Sequence, residues 1–176
     1  KITILALCLP LFSFAQKKNL TYNQTNDIQF CKQYKNNTAI DSYTTKDGLT
    51  ISIGDILTIG DPAIERKEYM LSDVFTHIVA GKTGRTTNEK TKHLPHNYSG
   101  SKVIVKSLFV THEKFTGYKL WPNRKKMPLY VSVFVKNTKV KLNLVKKLSK
   151  MLSHSRKTIL DIEKALSSGE ILNPNA

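Results

Sequence analysis

Short apolar runs separated by glycine and aspartate mark the middle of the chain. Leu49–Ile53 and Ile56–Ile59 are such runs, and they are bounded by Asp-Gly at 47–48 and by Gly-Asp at 54–55 and 60–61. Isoleucine favours a half-buried pleated surface, and glycine next to aspartate favours tight turns. We therefore predict two β-strands at the start of a β-rich domain. The aspartates are too widely spaced for a calcium loop, so we interpret them as turn residues.

Further strands are predicted in the second half of the chain. Val103–Val110 is almost continuously apolar, which is typical of a central strand. Apolar and polar residues alternate over 129–135 and again over 140–144, on either side of a predicted turn at 136–139. This pattern predicts a β-hairpin with one apolar and one polar face.

Three stretches carry a helical spacing instead. Apolar residues at 70, 71, 74, 75 and 78 favour a short helix, with a strand at Val74–Val79 as the alternative. The polar residues that follow, 80–97, are predicted to form a loop. A basic helix is predicted over 145–152, followed by a strand near 158–160. The chain is then predicted to close with a helix over 162–168, which Asp161 caps and Gly169 ends.

The N-terminal residues have a different character. Residues 1–15 are predicted to be a signal peptide, with Lys1, an apolar core at Ile2–Phe12 and a small-x-small cleavage site at 13–15. Residues 16–42 are polar and lack a sustained period, so we expect an extended or poorly ordered arm, with at most one strand near 27–34. No later run has the roughly 18 apolar residues of a membrane span. We expect an exported protein, periplasmic or secreted.

These elements define the expected architecture. A single β-rich domain is predicted over 43–172, with 173–176 as a tail. We expect an α+β fold that is mostly β, with a small twisted sheet or a partly open barrel of five to seven strands. The barrel would resemble SH3 or OB domains in scale and would carry a short C-terminal helix.

The residues that could perform chemistry are few and scattered. Cys31 is the only cysteine outside the predicted signal peptide, so an internal disulfide is not expected. His93 and His96 are three residues apart, but Pro95 between them argues against a helical metal site. A hydrolase or metal-dependent enzyme would need these histidines to meet His77, His112 or Cys31 in one pocket. We predict a non-catalytic protein without a cofactor or a metal.

Charge is the most unusual property of the sequence. The chain carries 28 Lys and Arg against 13 Asp and Glu, a formal net charge of +15. Residues 82–157 hold nineteen of these cations and only two acids, Glu89 and Glu113. A field this uneven attracts polyanions in a salt-dependent way. The candidate anion-binding residues are Lys114, Lys119, Trp121, Arg124, Lys125, Lys126, Lys139 and Lys141.

Three sequence features together resemble a known group of proteins. They are the 13–16 stretch Ser-Phe-Ala-Gln, the Gly-Asp-bounded strands from Asp47 to Gly60, and the ending Asp161–Ile171 with its pattern I-E-x-A-L-x-x-G-E-I. The set is similar to small exported bacterial proteins of unknown function with a β-barrel-like core. That group passes almost directly from a late hairpin to its last helix, whereas this chain has the extra basic stretch Lys146–Lys157. The resemblance implies an exported β-rich domain and no particular activity.

Three hypotheses for function follow. The first is an exported, non-catalytic binding or structural module of the bacterial cell envelope. The second is a binder of anionic polymers (nucleic acid, lipopolysaccharide or acidic glycan) through the basic region 82–157. The third is a hydrolase or metal-dependent enzyme. The sequence identifies neither a particular partner nor an oligomeric state.

Overall fold

The computed structural model describes residues 18–62, 66–67, 70–71, 74–81, 93–113, 127–138 and 156–173. The predicted signal peptide lies outside the described residues, as does the predicted basic helix at 145–152. The strands are β1 (Asn19–Thr21), β2 (Thr38–Ile40), β3 (Ser42–Thr44), β4 (Thr50–Ser52), β5 (Ile56–Ile59), β6 (Arg66–Lys67), β7 (Met70–Leu71), β8 (Val74–Ala80), β9 (His93–Pro95), β10 (Lys102–His112), β11 (Leu129–Asn137), β12 (Arg156–Ile159) and β13 (Ile171–Leu172). The helices are α1 (Tyr22–Asn26), α2 (Ile28–Cys31) and α3 (Ile162–Ser167), with a 3₁₀ turn at His96–Tyr98.

The main sheet is a strongly curled half-barrel of seven strands in the order β13-β5-β10-β11-β12-β8-β9. β2 pairs with β10 beside this path, and β1, β3 and β4 form a second, small sheet. Strands hold about half of the described residues, and a short helix lies near the C-terminus. The predicted class, a mostly β protein with a partly open barrel and a short closing helix, is confirmed.

The core lies inside the curl of the main sheet. β10 and β11 form its longest pair, and residues 131–135 of β11 are all buried. A strand with both faces covered needs apolar residues at nearly every position, which the sequence supplies here. The buried residues of β5, β8, β12 and α3 complete the same cluster.

Local turn and cap signals act as predicted. Gly48 and Gly54 adopt the left-handed conformation, with φ of 80° and 101°. The Asp55 carboxylate accepts a hydrogen bond from the Ser52 amide at 2.7 Å, so it shapes the turn between β4 and β5. Asp161 accepts the amides of Glu163 and Lys164 at the start of α3, and Gly169 follows its end with φ of 76°.

The residues predicted to form a polar arm are folded. Residues 18–42 contribute β1, α1, α2 and β2, and they bury Leu20, Cys31 and Ile40 in the core. The strand expected near 27–34 is instead helix α2 with its turn. Elements of three to five residues are too short to show a period, which is why the sequence suggested an arm here.

Two other expectations are corrected. The helix favoured over 70–78 is wrong, because Val74–Ala80 is strand β8, paired with both β9 and β12. These residues are β-branched and aromatic, and pairing on both edges decides in favour of a strand. The loop expected over 80–97 ends early, since His93–Pro95 forms β9 and His96–Tyr98 a 3₁₀ turn.

The predicted hairpin is also revised. Its second half, 140–144, lies outside the described residues. β11 pairs with β10 along its whole length, and β12 takes the other edge at Val133–Lys136. At Val133–Lys136, this edge of β11 is therefore taken by a strand from later in the chain.

Candidate basic end of the sheet

All eight sequence-predicted anion-binding residues lie outside the described residues. The structure does describe the ends of the strands that flank the segments containing them. Six of the eight belong to the connection from β10 to β11, and Lys139 and Lys141 belong to the connection from β11 to β12. The strand registers therefore determine where each connection begins and ends.

The connections from β8 to β9 and from β11 to β12 share one end of the sheet. Lys136 pairs with Arg156 and Lys157 pairs with Ala80, so the ends of β11 and β8 meet the start of β12. The Gly81 amide donates to the Arg156 carbonyl at 2.7 Å, which fixes the exit from β8 beside β12. The start of β10 joins this group because the Thr138 amide donates to the Lys102 carbonyl at 3.2 Å. We name this region, comprising 80–81, 102, 136–138 and 156–157, the basic end.

The connection from β10 to β11 begins and ends elsewhere. His112 pairs with Leu129, so this connection leaves from the opposite end of the β10–β11 pair. β11 has nine residues, and at about 3.3 Å per residue its two ends are ~26 Å apart. The candidate residues thus belong to two connections, which are attached at opposite ends of β11.

Described cations mark the basic end. β8, β10, β11 and β12 contain five Lys or Arg and no Asp or Glu, and four of the five lie at this end: Lys102, Lys136, Arg156 and Lys157. Lys102 and Arg156 are exposed, and Lys136 is half-buried. Glu113 and Asp161 follow these strands toward the other end, as the registers of His112 and Ile159 show. The charge of these four strands is therefore polarised along them, while Asp61 follows the neighbouring strand β5 on the side toward Lys102.

Lys157 differs from the other cations because it is completely buried. Its ammonium lies 4.5 Å from the centroid of the Tyr98 ring and donates a hydrogen bond to Asn137 Oδ1. Attraction to the negative face of the ring offsets part of the cost of removing the charge from water. Desolvation still lowers the pKa of Lys157 from 10.5 to about 8.

The sequence did not single out this arrangement. The last strand was predicted to start at Thr158, which placed Lys157 in a loop. In the structure β12 starts at Arg156, so Arg156 points outward and Lys157 points inward. Tyr98 packs against the core from a 3₁₀ turn, far away in sequence. A contact of this kind depends on tertiary packing and leaves no periodic signal.

The carboxylates near the C-terminus connect parts of the fold. The Glu163 carboxylate accepts the Tyr43 hydroxyl at 2.8 Å and the Lys46 amide at 3.1 Å, so it ties α3 to the small sheet. Burial and the hydrogen bond to Glu163 raise the pKa of Tyr43 far above its usual range. Glu170 is completely buried and holds β8 through Thr76 and His77. These acids serve the fold rather than an accessible site.

Two of the histidines, His93 and His112, and the Cys31 thiol make contacts with backbone carbonyls. His93 Nδ1 lies 2.9 Å from the Phe75 carbonyl, and His112 Nε2 lies 3.2 Å from the Cys31 carbonyl. The Cys31 thiol donates to the Thr25 carbonyl at 3.1 Å, and burial raises its pKa. Within the described ranges, no group of three His, Cys, Asp or Glu side chains could hold a metal ion.

Comparisons with known proteins add no identification. No protein-family model, no curated protein and no solved structure matches this chain. The resemblance to small exported bacterial proteins stays a prediction. In the part of the chain that the structure describes, no helix is long and apolar enough to cross a membrane.

Proposed function

We propose that this protein is an exported, non-catalytic binding module of the bacterial cell envelope, and that the basic end binds an anionic polymer. The observation that carries the proposal is the polarised charge of the four strands that form this end, with Lys102, Lys136 and Arg156 reaching solvent there and no acidic residue on those strands. Such a field concentrates polyanions and speeds their association.

The chemistry of these cations indicates the class of partner. Lysine is a hydrated point charge, whereas arginine offers a planar fork for bidentate phosphate recognition. Three of the four described cations at the basic end are lysines, and all five cations of the connection 139–155 are lysines too. A surface dominated by lysine suits repeated anionic groups along a polymer better than one precisely oriented ligand.

Two basic segments of the sequence are attached to strand ends at the basic end. Residues 82–92 carry four cations and one acid, and residues 139–155 carry five cations and no acid. The first segment leaves β8 beside the described cations of the basic end, and the second begins and ends beside them. Screened charge interactions reach only about 8 Å at physiological salt. Attachment of both segments beside the described cations therefore matters for the affinity of the basic end for a polyanion.

The experiment compares two triple variants that remove the same charge. One replaces Lys102, Lys136 and Arg156 with serine, and the control replaces the exposed Lys18, Lys32 and Lys46 with serine. Binding to duplex DNA, heparin and lipopolysaccharide is measured at several salt concentrations. Each phosphate contact contributes about 0.9 to the steepness of log K against log salt on DNA, so loss of three contacts would reduce that steepness by about 2.7. The control should keep the wild-type slope.

Two results would contradict the proposal. Equal weakening by both triple variants would mean that only net charge matters. Release of the wild-type protein from heparin at low salt, as for any mildly basic protein, would rule out a polymer-binding role. Comparison of the three polyanions identifies the class of partner. The polyanion that binds the wild-type protein with the highest affinity at equal salt concentration indicates which kind of anionic polymer is recognised.

The export part of the proposal has its own test. Expression of the full sequence in a bacterial host, followed by fractionation and N-terminal sequencing, should give a periplasmic or secreted protein that begins at Gln16. A cytoplasmic protein that retains residues 1–15 would contradict it.

A further inference from the structure

His112 is a buried histidine whose ring faces two oxygen atoms. It is 2 % exposed at the end of β10. Its Nδ1 lies 3.0 Å from Asn36 Oδ1, and its Nε2 lies 3.2 Å from the carbonyl oxygen of Cys31. Both neighbours belong to the N-terminal segment that packs beside the sheet.

The chemistry of these two oxygens constrains the ring. A backbone carbonyl only accepts hydrogen bonds, so Nε2 must donate to Cys31. The backbone amide of His112 donates to Asn36 Oδ1 at 2.8 Å, which identifies that atom as the amide oxygen rather than the nitrogen. Asn36 Oδ1 is therefore also an acceptor, and Nδ1 must donate to it. A neutral imidazole has one N–H only, whereas an imidazolium has two.

We propose that His112 is a doubly donating imidazolium in the folded protein and acts as a pH-dependent clasp between the N-terminal segment and β10. Loss of one proton leaves a nitrogen lone pair facing an oxygen at about 3 Å, and the buried pair then repels. The clasp is independent of the proposed polymer binding, because His112 lies at the opposite end of β10 from the basic end.

The surrounding charges are compatible with a cation. Asp27 caps α2 through the amides of Gln29 and Phe30, and Glu113 follows His112 in an exposed position. Both acids favour a positive ring. The other ionisable groups on the described elements packed here are the buried thiol of Cys31, the phenols of Tyr34 and Tyr130, whose pKa values are raised by burial, and the exposed Lys32 and Lys35.

The clasp has a defined sign with pH. If both ring nitrogens donate, the two acceptors must outweigh the desolvation that burial imposes on the ring. The folded state then holds the proton more tightly than the unfolded chain, in which a histidine titrates near about 6.5. The stabilisation is fully present below about pH 6.5 and is lost as the pH rises through the midpoint of the folded state. Above that midpoint, the contact between β2 and β10 at residues 108–110 loses its neighbouring support.

The direct test is an NMR titration of the ring nitrogens of His112 in the full protein. We expect both nitrogens to carry protons at pH 7, and the midpoint to lie at least about one pH unit above that of an unfolded histidine. A neutral single tautomer at pH 6 would overturn the proposal.

A charge variant separates the clasp from ordinary packing. Asn36→Asp keeps an acceptor oxygen in the place of Asn36 Oδ1, which faces both the amide and Nδ1 of His112. It also adds a negative charge, so the midpoint should rise by about one to three pH units. Gln33→Glu adds the same charge at an exposed neighbouring position and should shift the midpoint far less. Equal shifts in the two variants would refute the specific pairing of His112 with Asn36. In the wild type, the protection factors of the amides at residues 38–40, which correct for the intrinsic pH dependence of exchange, should fall as the pH rises through the His112 midpoint. A His112→Phe variant should lose this pH-dependent change in protection, whether or not it is less stable.

Discussion

Glu170 and Lys157 are both completely buried, and the protein treats the two charges differently. The Glu170 carboxylate accepts three hydrogen bonds of 2.6–2.7 Å, from the amide and hydroxyl of Thr76 and the amide of His77. The Lys157 ammonium contacts Asn137 Oδ1 and the face of Tyr98, and desolvation lowers its pKa to about 8. A buried charge destabilises the folded state little when oriented hydrogen-bonding groups replace its water. Where such groups replace the water only in part, the charge lowers the free energy of unfolding.

The largest expected effect is the loss of the anion. Glu170→Ala leaves three donors of β8 without their acceptor, so we expect the free energy of unfolding to fall by about 4 kcal/mol at pH 7. Urea denaturation measures it. Glu170→Gln retains the shape and one acceptor oxygen and should lose less. A loss below about 1 kcal/mol for the alanine variant would show that water replaces the carboxylate.

A steric change should disturb the same anchor without altering charge. The Gly60 amide donates to the Glu170 carbonyl at 2.9 Å. A Cβ at Gly60 would overlap the Gly169 carbonyl oxygen and approach Leu172 Cδ2 to 2.9 Å. We expect Gly60→Ala to cost about 3 kcal/mol in thermal or urea unfolding.

The control for this steric change is another glycine. A Cβ at Gly54 would meet no described atom within 4 Å beyond its chain neighbours. Gly54→Ala should therefore cost only the left-handed backbone penalty of about 1–2 kcal/mol. Equal costs at the two positions would mean that the close approach of Gly60 to the 169–172 turn is unimportant.

Removal of the buried cation should act in the opposite direction. The lowered pKa of Lys157 corresponds to a destabilisation of the folded state by at most about 3 kcal/mol below pH 8. The lost contacts with Tyr98 and Asn137 offset part of this, so Lys157→Met should raise the free energy of unfolding by about 2 kcal/mol at pH 7. As the pH rises, Lys157 loses its proton in the folded state before it does so in the unfolded chain. The wild type therefore gains stability from about pH 8 toward pH 10, and the difference in free energy of unfolding between Lys157→Met and the wild type shrinks.

The exposed Lys102 provides the matched control for that prediction. Lys102→Met should change stability by less than about 0.5 kcal/mol and leave the pH profile unchanged. If Lys157→Met were destabilising at pH 7 and its profile paralleled the wild type, the description of Lys157 as a costly buried cation would be wrong.

The smallest effect concerns the aromatic ring. Tyr98→Leu removes the face that the ammonium contacts, and we expect about 1 kcal/mol of coupling with Lys157 in a double-mutant cycle. The same substitution in the Lys157→Met background isolates the packing loss of the ring. A coupling near zero would assign the role of Tyr98 to packing alone.

The success of the sequence predictions depended on the range of the interactions involved. The Asp161 cap, the Gly169 stop and the turn at Asp55 were predicted because each is decided within a few residues. The pairing of β11 with β10 and β12 was not predicted, because alternation reports which face is apolar and not which strand lies beside it. The eight candidate anion-binding residues were chosen from charge and aromatic character, and they lie outside the described residues. That the segments containing them are attached at opposite ends of β11 follows from registers that no local pattern contains.

Side-chain type and spacing along the chain are enough to predict a mostly β protein, its turns, its closing helix and the uneven charge. Three features arise only in the folded chain. Residues 18–42 bury Leu20, Cys31 and Ile40 in the core, Lys157 is buried against Tyr98, and the ends of β8 and β11 meet the start of β12 at one end of the sheet. These features are contacts between distant residues, and their free energy depends on burial and pairing that exist only once the chain has folded.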